Sequence, residues 1–263
     1  MHDTLSPLIE RALLGNPRPL EYFLREQSNL PGPRANLKLV DDVANLLAAA
    51  DERTGKVWQV IYYLTRDEKT LKTNTPDEFV VLCGVVASGA CVAVDSVHRD
   101  EVITRLSEFA SNASWRVREG TAMAFQRLLE SAPLDTIARL RNWASAGNCW
   151  QQRACIAAIA EPALMHHAAM REAALEMQQE ILRRLRAMPL ADRKREDVRV
   201  LRQATGYTLS VIVAALPEQG FALMRECASW GDPDINWILR ENLKKKRLAK
   251  FAEQTELLAK YLV

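Results

Sequence analysis

Apolar residues along this chain recur three and four positions apart, and no stretch alternates strictly between apolar and polar. Val102, Leu106, Phe109 and Ala110 form one such run, and Leu175, Ile181, Leu182 and Leu185 another. That spacing marks one face of an α-helix, where side chains 3.6 residues apart line up. Short breaks separate the runs at Asn16-Pro-Arg-Pro, Leu30-Pro-Gly-Pro, Asn74-Thr-Pro, Ser131-Ala-Pro, Met188-Pro, Leu216-Pro and Gly231-Asp-Pro. Proline is tolerated in the first helical turn, whose N–H groups have no partner in the helix, so these prolines read as starts rather than interruptions. Links this short force antiparallel neighbours. The pattern predicts an all-α fold built from antiparallel helix pairs. Leu30-Pro-Gly-Pro-Arg34 reads either as a simple turn or as a boundary before more regular repeats.

One run, Phe79 to Val94, is apolar almost throughout. A membrane span normally needs about 20 apolar residues, and this run is shorter and broken by Gly84, Ser88 and Gly89. It predicts a helix buried on most sides, its small residues letting neighbouring helices approach.

Internal repetition decides between a bundle and a superhelical stack. Trp115-Arg-Val-Arg118, Trp150-Gln-Gln-Arg153 and Trp237-Ile-Leu-Arg240 are three copies of Trp-x-x-Arg, each opening a predicted helix. Asn112, Gly147 and Asp234 stand three residues before the tryptophans, where N-caps are expected. The first two copies are about 35 residues apart, the length of one helix pair in repeat proteins. A degenerate copy is expected at Asp197-Val-Arg-Val-Leu-Arg202, with Asp197 as cap and Arg202 in the place of the arginine. Upstream, Asp77 to Val94 and Gly55 to Leu64 fill the same slot without the full signature. This favours a stack, one domain over residues 1–263, with atypical helices over 1–75 and more regular pairs over 76–263.

The stretch Asn112 to Leu129, with its Val117-Arg118 pair followed by small and apolar positions, resembles the second helix of a HEAT repeat, and Asp232 to Arg240 is similar. The resemblance extends over residues 99–161 and 217–248. It implies an α-α superhelix, a HEAT-like (ARM-type) solenoid, and no particular activity, because such repeats host scaffolds, transport receptors and a few enzymes. Among the enzymes, the chain looks most like the bacterial HEAT-like DNA alkylation repair glycosylases. Those proteins carry an aspartate after a tryptophan where this chain has Glu119.

Composition adds little to this and excludes some classes. Abundant Leu, Ala, Arg and Glu with only 6% aromatics favour helices. A formal charge of +2 gives no global attraction to nucleic acid or membrane, so any basic site is local. The amino-terminal residues show no basic segment followed by an apolar run, which predicts a cytoplasmic protein without a secretory leader. Cys83, Cys91, Cys149, Cys155 and Cys227 are odd in number and never form Cys-x-x-Cys, which predicts reduced thiols on helix faces rather than a disulfide framework or zinc site. His166 and His167 are adjacent and, on a helix, would point about 100° apart, a poor pair for a metal. With no Gly-rich phosphate loop, His-Glu-x-x-His or Gly-x-Ser-x-Gly element, neither metal nor cofactor is implied.

The candidate site residues come from the repeated motif. A tryptophan and an arginine three residues apart share a helix face, where they either tie neighbouring repeats together or line a ligand groove. Trp115 with Glu119, and Trp237 with Glu241, also set a carboxylate one turn after an aromatic ring. Two basic clusters stand out, Arg183-Arg184-Leu185-Arg186 continuing to Arg193-Lys194-Arg195, and Lys244-Lys245-Lys246-Arg247. Acidic neighbours of the first make the second the better phosphate contact. The leading expectation is a non-enzymatic scaffold whose concave groove takes a protein segment or nucleic acid through Trp150, Arg153, Trp237 and Arg240, aided by Arg202 and Lys244 to Arg247. The rival is an alkylbase DNA glycosylase or a non-catalytic DNA-binding relative. There Trp115, Trp150 and Trp237 would hold a cationic base beside Arg153, and Glu119 would stabilise the developing oxocarbenium ion.

Overall fold

The computed structural model describes residues 2–50, 54–94 and 96–262. Of the amino-terminal stretch considered for a leader, Met1 lies outside these residues. The fold is all-α, with no strand among the described residues. The chain divides into two compact units, residues 1–132 and 133–263.

The first unit holds α1 (His2–Leu13), α2 (Arg18–Glu26), α3 (Leu37–Ala48), α4 (Thr54–Thr65), α5 (Pro76–Val94), α6 (Arg99–Ala110) and α7 (Trp115–Ser131). Its centre is α5, which packs against α2, α3, α4, α6 and α7. The helices before residue 75 therefore share one core with those after it. The segment predicted from Phe79 to Val94 is longer than the sequence suggested, since Pro76 extends it to 19 residues, enough by length and composition to cross a membrane. Shortness therefore does not set this helix apart from a span, and burial is what characterises it: 83% of its most apolar window is covered inside the unit. A Cβ on Gly89 would fall 2.5 Å from Cα of Ala124, so α5 and α7 cross with almost no side chain between them. Dispersion contacts between closely packed backbones follow from that approach.

The second unit holds α8 (Pro133–Ala146), α9 (Cys149–Ile159), α10 (Ala168–Ala187), α11 (Glu196–Ala215), α12 (Pro217–Ala228), α13 (Pro233–Leu243) and α14 (Ala252–Tyr261), with 3-10 turns at Pro162–His166, Asp192–Lys194 and Lys246–Phe251. Here α11 is central, touching α9, α10, α12 and α13. Fully buried Leu201, Leu209, Ile212 and Val213 give it the apolar face that this position requires.

Proline opens α5, α8, α12 and α13 as expected, whereas Pro7 sits within α1. The caps differ from those predicted. Ser114 rather than Asn112 caps α7, its Oγ accepting from the Val117 N–H. Asn148 rather than Gly147 caps α9 in a reciprocal box with Gln151. Asp232 rather than Asp234 caps α13, accepting from the N–H groups of Asp234 and Ile235. Each true cap is the residue whose oxygen meets the free N–H groups of the first turn, which a count back from tryptophan does not identify. Consequently Trp115 is the first residue of its helix, Trp150 the second and Trp237 the fifth, so the three motifs do not share a register. Asp197 is likewise not a cap; it lies inside α11 and accepts from Arg195 at 2.5 Å.

Candidate functional site

In the first unit, the loop from Leu30 to Arg34 is a turn pinned within the unit. The Gly32 N–H donates to Asn74 Oδ1 at 2.9 Å, and the Gly32 carbonyl accepts from Arg116 Nη2 at 2.8 Å. Arg116 also donates through Nη1 to Glu78 Oε2 at 2.8 Å. Glu78 is fully buried in the first turn of α5 and accepts in addition from the Asn74 N–H and the Ser114 hydroxyl. A buried carboxylate with three donors is satisfied, and this pair locks loop, α5 and α7 together.

Beside that lock lies an apolar pocket of about 260 Å3. It is lined by Trp115, Arg116, Glu119 and Met123 of α7, by Pro33, Arg34, Ala35 and Leu37, and by Leu82. Trp115, Glu119 and Met123 fall at four-residue intervals on one face of α7, which brings them to the same wall. Trp115 is 50% exposed, and the Arg116 guanidinium sits 4.5 Å from its ring centroid. The structure thus brings Trp115 and Glu119 together. The motif arginine, Arg118, is directed elsewhere: it is buried and donates to the carbonyls of Asn112 and Ala113, closing the loop before its own helix.

In the second unit, the other motif residues are bound into packing to different degrees. Trp150 and Arg153 are half-buried on α9. Trp237 is half-buried, and its Cζ3 lies 3.2 Å from where a Cβ on Gly206 would stand. The Arg202 guanidinium covers its ring at 4.7 Å while donating to Asp234. Arg202, expected to meet a ligand, therefore joins α11 to α13. Arg240 donates through Nε to the Leu262 carbonyl at 2.9 Å, fastening the end of the described chain.

The two basic clusters separate clearly. Arg183 pairs with Glu226, Arg186 stacks on Trp230 at 4.9 Å, Arg193 is held by Asp232 and Asp234, and Arg195 pairs with Asp197. Most of the first cluster thus serves inside the unit. Lys244 to Arg247 follow the C-terminus of α13 and, with Pro162, Met165, Val211, Ala214 and Ala215, line an open depression of about 700 Å3. Its floor is apolar and its rim cationic. Lys244 reaches Glu241 at 2.5 Å, and that hydrogen bond holds the Glu241 carboxyl below its ordinary range.

His166 and His167 do not lie on one α-helix, since the first ends a 3-10 turn and the second precedes α10. Their rings approach to 3.8 Å, closer than helical spacing predicted. Among the described residues no group of three or more His, Cys, Asp or Glu side chains is placed to hold a metal.

Arg116, Glu78, Arg34 and Leu37 escaped the sequence reading. Glu78 had a signal, an acid at the head of an almost wholly apolar run; its partner 38 residues on had none. No family model, curated protein or solved structure matches the chain.

Proposed function

We propose that this protein is a HEAT-like helical-repeat scaffold, an α-α superhelix without catalysis of its own, and that it holds nucleic acid at Lys244 to Arg247. The observation that carries this reading is the depression they rim: four consecutive cations above an apolar floor, at a place where only Lys244 has an acidic partner among the ion pairs described above. Phosphate contacts of this kind release counterions, so affinity falls as salt rises, with a slope of about 0.9 per phosphate contact in a logarithmic plot.

The test is duplex binding across a salt series, for the wild type and for a variant with Lys245, Lys246 and Arg247 changed to Gln. The expected result is a steep slope in the wild type, reduced in the variant by about 0.9 for each phosphate that is no longer neutralised. Cations near a helix C-terminus also offset its dipole. If that is their whole role, the variant changes helix stability by about 0.3–1 kcal/mol and leaves duplex binding untouched, which overturns the proposal.

The glycosylase reading draws support from Trp115 and Glu119 lining one pocket. Arg116 already covers the indole, however, so a cationic base would approach beside a cation. We therefore prefer the scaffold. Release of methylated bases from DNA, lost in Glu119→Gln, would reverse that preference.

A further inference from the structure

The depression rimmed by Lys244 to Arg247 continues beyond its lining residues, along one face of α11. Tyr207 stands one turn before Val211 and two turns before Ala214, at positions that share that face. Val211 and Ala214 belong to the apolar floor, so the Tyr207 ring, 38% exposed, extends the floor at one end. From Tyr207 to Ala214 is about 10 Å along the helix axis, roughly three steps of a stacked nucleotide strand. Other rings close by are covered: Trp237 carries the Arg202 guanidinium at 4.7 Å, and Phe251 packs edge-on against Phe221 at 5.6 Å.

The charge at the depression sets how much work that ring has to do. Arg202 donates to Asp234, Gly206 abuts Trp237, and the Ser210 N–H donates to Asn242, so contacts advance together and α11 runs parallel to α13. Their C-terminal ends therefore lie side by side at the depression, each contributing about half a negative charge. With Glu241 on Lys244, this leaves roughly two of the four cationic charges for a ligand. No acidic side chain lines the depression among the described residues, so the net sign stays positive. A grip of that size holds a polyanion weakly, and a further contact decides which polyanion stays. In a duplex the base faces cover one another. A single strand exposes them, and they stack on aromatic side chains while the phosphates follow neighbouring cations.

We propose that the nucleic acid held at this depression is single-stranded, with phosphates against Lys245, Lys246 and Arg247 and one base stacked on Tyr207, an assignment that rests on the nucleic-acid reading of these same cations. The floor beneath the strand is aliphatic, and stacking accepts every base, so binding tolerates any sequence.

Fluorescence anisotropy of the full-length protein at low salt tests this with four labelled probes of equal length: oligothymidylate, a mixed-sequence single strand, the duplex of that mixed sequence, and an abasic sugar-phosphate strand. Both base-bearing single strands are expected to bind about fivefold or more tighter than the duplex and the abasic strand, as stacking one base supplies. Tyr207→Ala should abolish that advantage and leave affinity for the abasic strand unchanged, whereas Tyr207→Phe should retain it. Changing Lys245, Lys246 and Arg247 to Gln should weaken binding of all four. The comparison among probes is made on the unaltered protein, so it stands even where a variant fails to fold. A duplex or abasic strand bound as tightly as the single strands, or a folded Tyr207→Ala protein equal to wild type, overturns the single-strand assignment and leaves the nucleic-acid reading in place. Absence of binding by all four overturns that reading and the assignment with it.

Discussion

The indole of Trp237 is seated on Gly206: its Cζ3 lies 3.2 Å, and its Cη2 3.4 Å, from the position of a Cβ on that glycine. Arg202, one turn earlier on α11, stacks over the same ring at 4.7 Å. The tryptophan that resembles the others in sequence is therefore a packing element between α11 and α13. Trp115 differs, being half exposed at the mouth of a pocket.

That difference predicts unequal costs of truncation. Removing a large, well-packed aromatic costs about 3–5 kcal/mol, and for half-buried Trp237→Ala about 2 kcal/mol is expected. For Trp115→Ala the expected loss is under about 1 kcal/mol, as for most surface changes. Urea unfolding of the two variants checks this; equal losses would show that both rings serve the same purpose.

Helical periodicity and proline punctuation made the class of fold legible, because both are local properties of the chain. The caps were not legible in the same way. Ser114, Asn148 and Asp232 all had suitable side chains, but counting from a repeated tryptophan imposed a register that the helices do not share. The candidate site was half legible. Trp115 and Glu119 are one turn apart and so meet on one wall, a consequence of helix geometry alone. Arg116 with Glu78, and Arg202 with Asp234, are 38 and 32 residues apart, and such pairings appear only once the helices are packed.

Asn242 illustrates a buried polar group that specifies packing. It has no exposed surface; its Oδ1 accepts from the Ser210 N–H at 2.7 Å, and its Nδ2 donates to the carbonyls of Thr205 and Ile238 at 2.8 Å. Asn242→Leu leaves the polar groups of α11 without these partners, at a cost of about 1–3 kcal/mol for each group left unsatisfied. The expected outcome is a loss of about 3 kcal/mol, measured by denaturant unfolding. A neutral effect would mean that α11 closes its own ladder there.

Glu78 and Arg116 are 0% and 5% exposed at their side chains, so removing either strands the other. Losing one member of such a buried pair costs about 3–5 kcal/mol, while replacing both with apolar groups is often neutral. Glu78→Leu and Arg116→Met are each expected to destabilise by that amount, and the double variant by much less than their sum. A double-mutant cycle measures the coupling; additive losses would show that the pair does not act as a unit.

Acid stability should depend on Glu21. Burial pushes its carboxyl upward, but hydrogen bonds from Tyr63 and Arg66, with the charges of Arg66 and Arg25, outweigh burial and hold it below its ordinary value of 4.5. A carboxyl held lower in the folded state binds its proton more readily when unfolded, so it stabilises the fold above the unfolded value and loses that effect as pH falls through the folded one. Glu21→Gln should be less stable than wild type at pH 7 and lose less stability on acidification below pH ~4.5. Thermal melting from pH 7 to pH 3 tests this, and parallel curves would exclude Glu21 as a source of acid sensitivity.

The five cysteines bear on whether the helices carry redox or nucleophilic chemistry. All five are buried and unbridged. Burial pushes the thiols of Cys83 and Cys155 far above the ordinary range, raises that of Cys149, and pushes Cys227 up to about 12 with help from the charge of Glu226. The thiolate is the reactive form, so groups held protonated inside helix faces should be inert. Ellman's reagent is therefore expected to titrate none of them in the native state and all five in denaturant. Slow native-state labelling should track local opening, and Cys83, on the central helix of its unit, should be among the last to react. Rapid labelling of any one thiol without denaturant would mark a site that opens easily and would make that cysteine a candidate for chemistry.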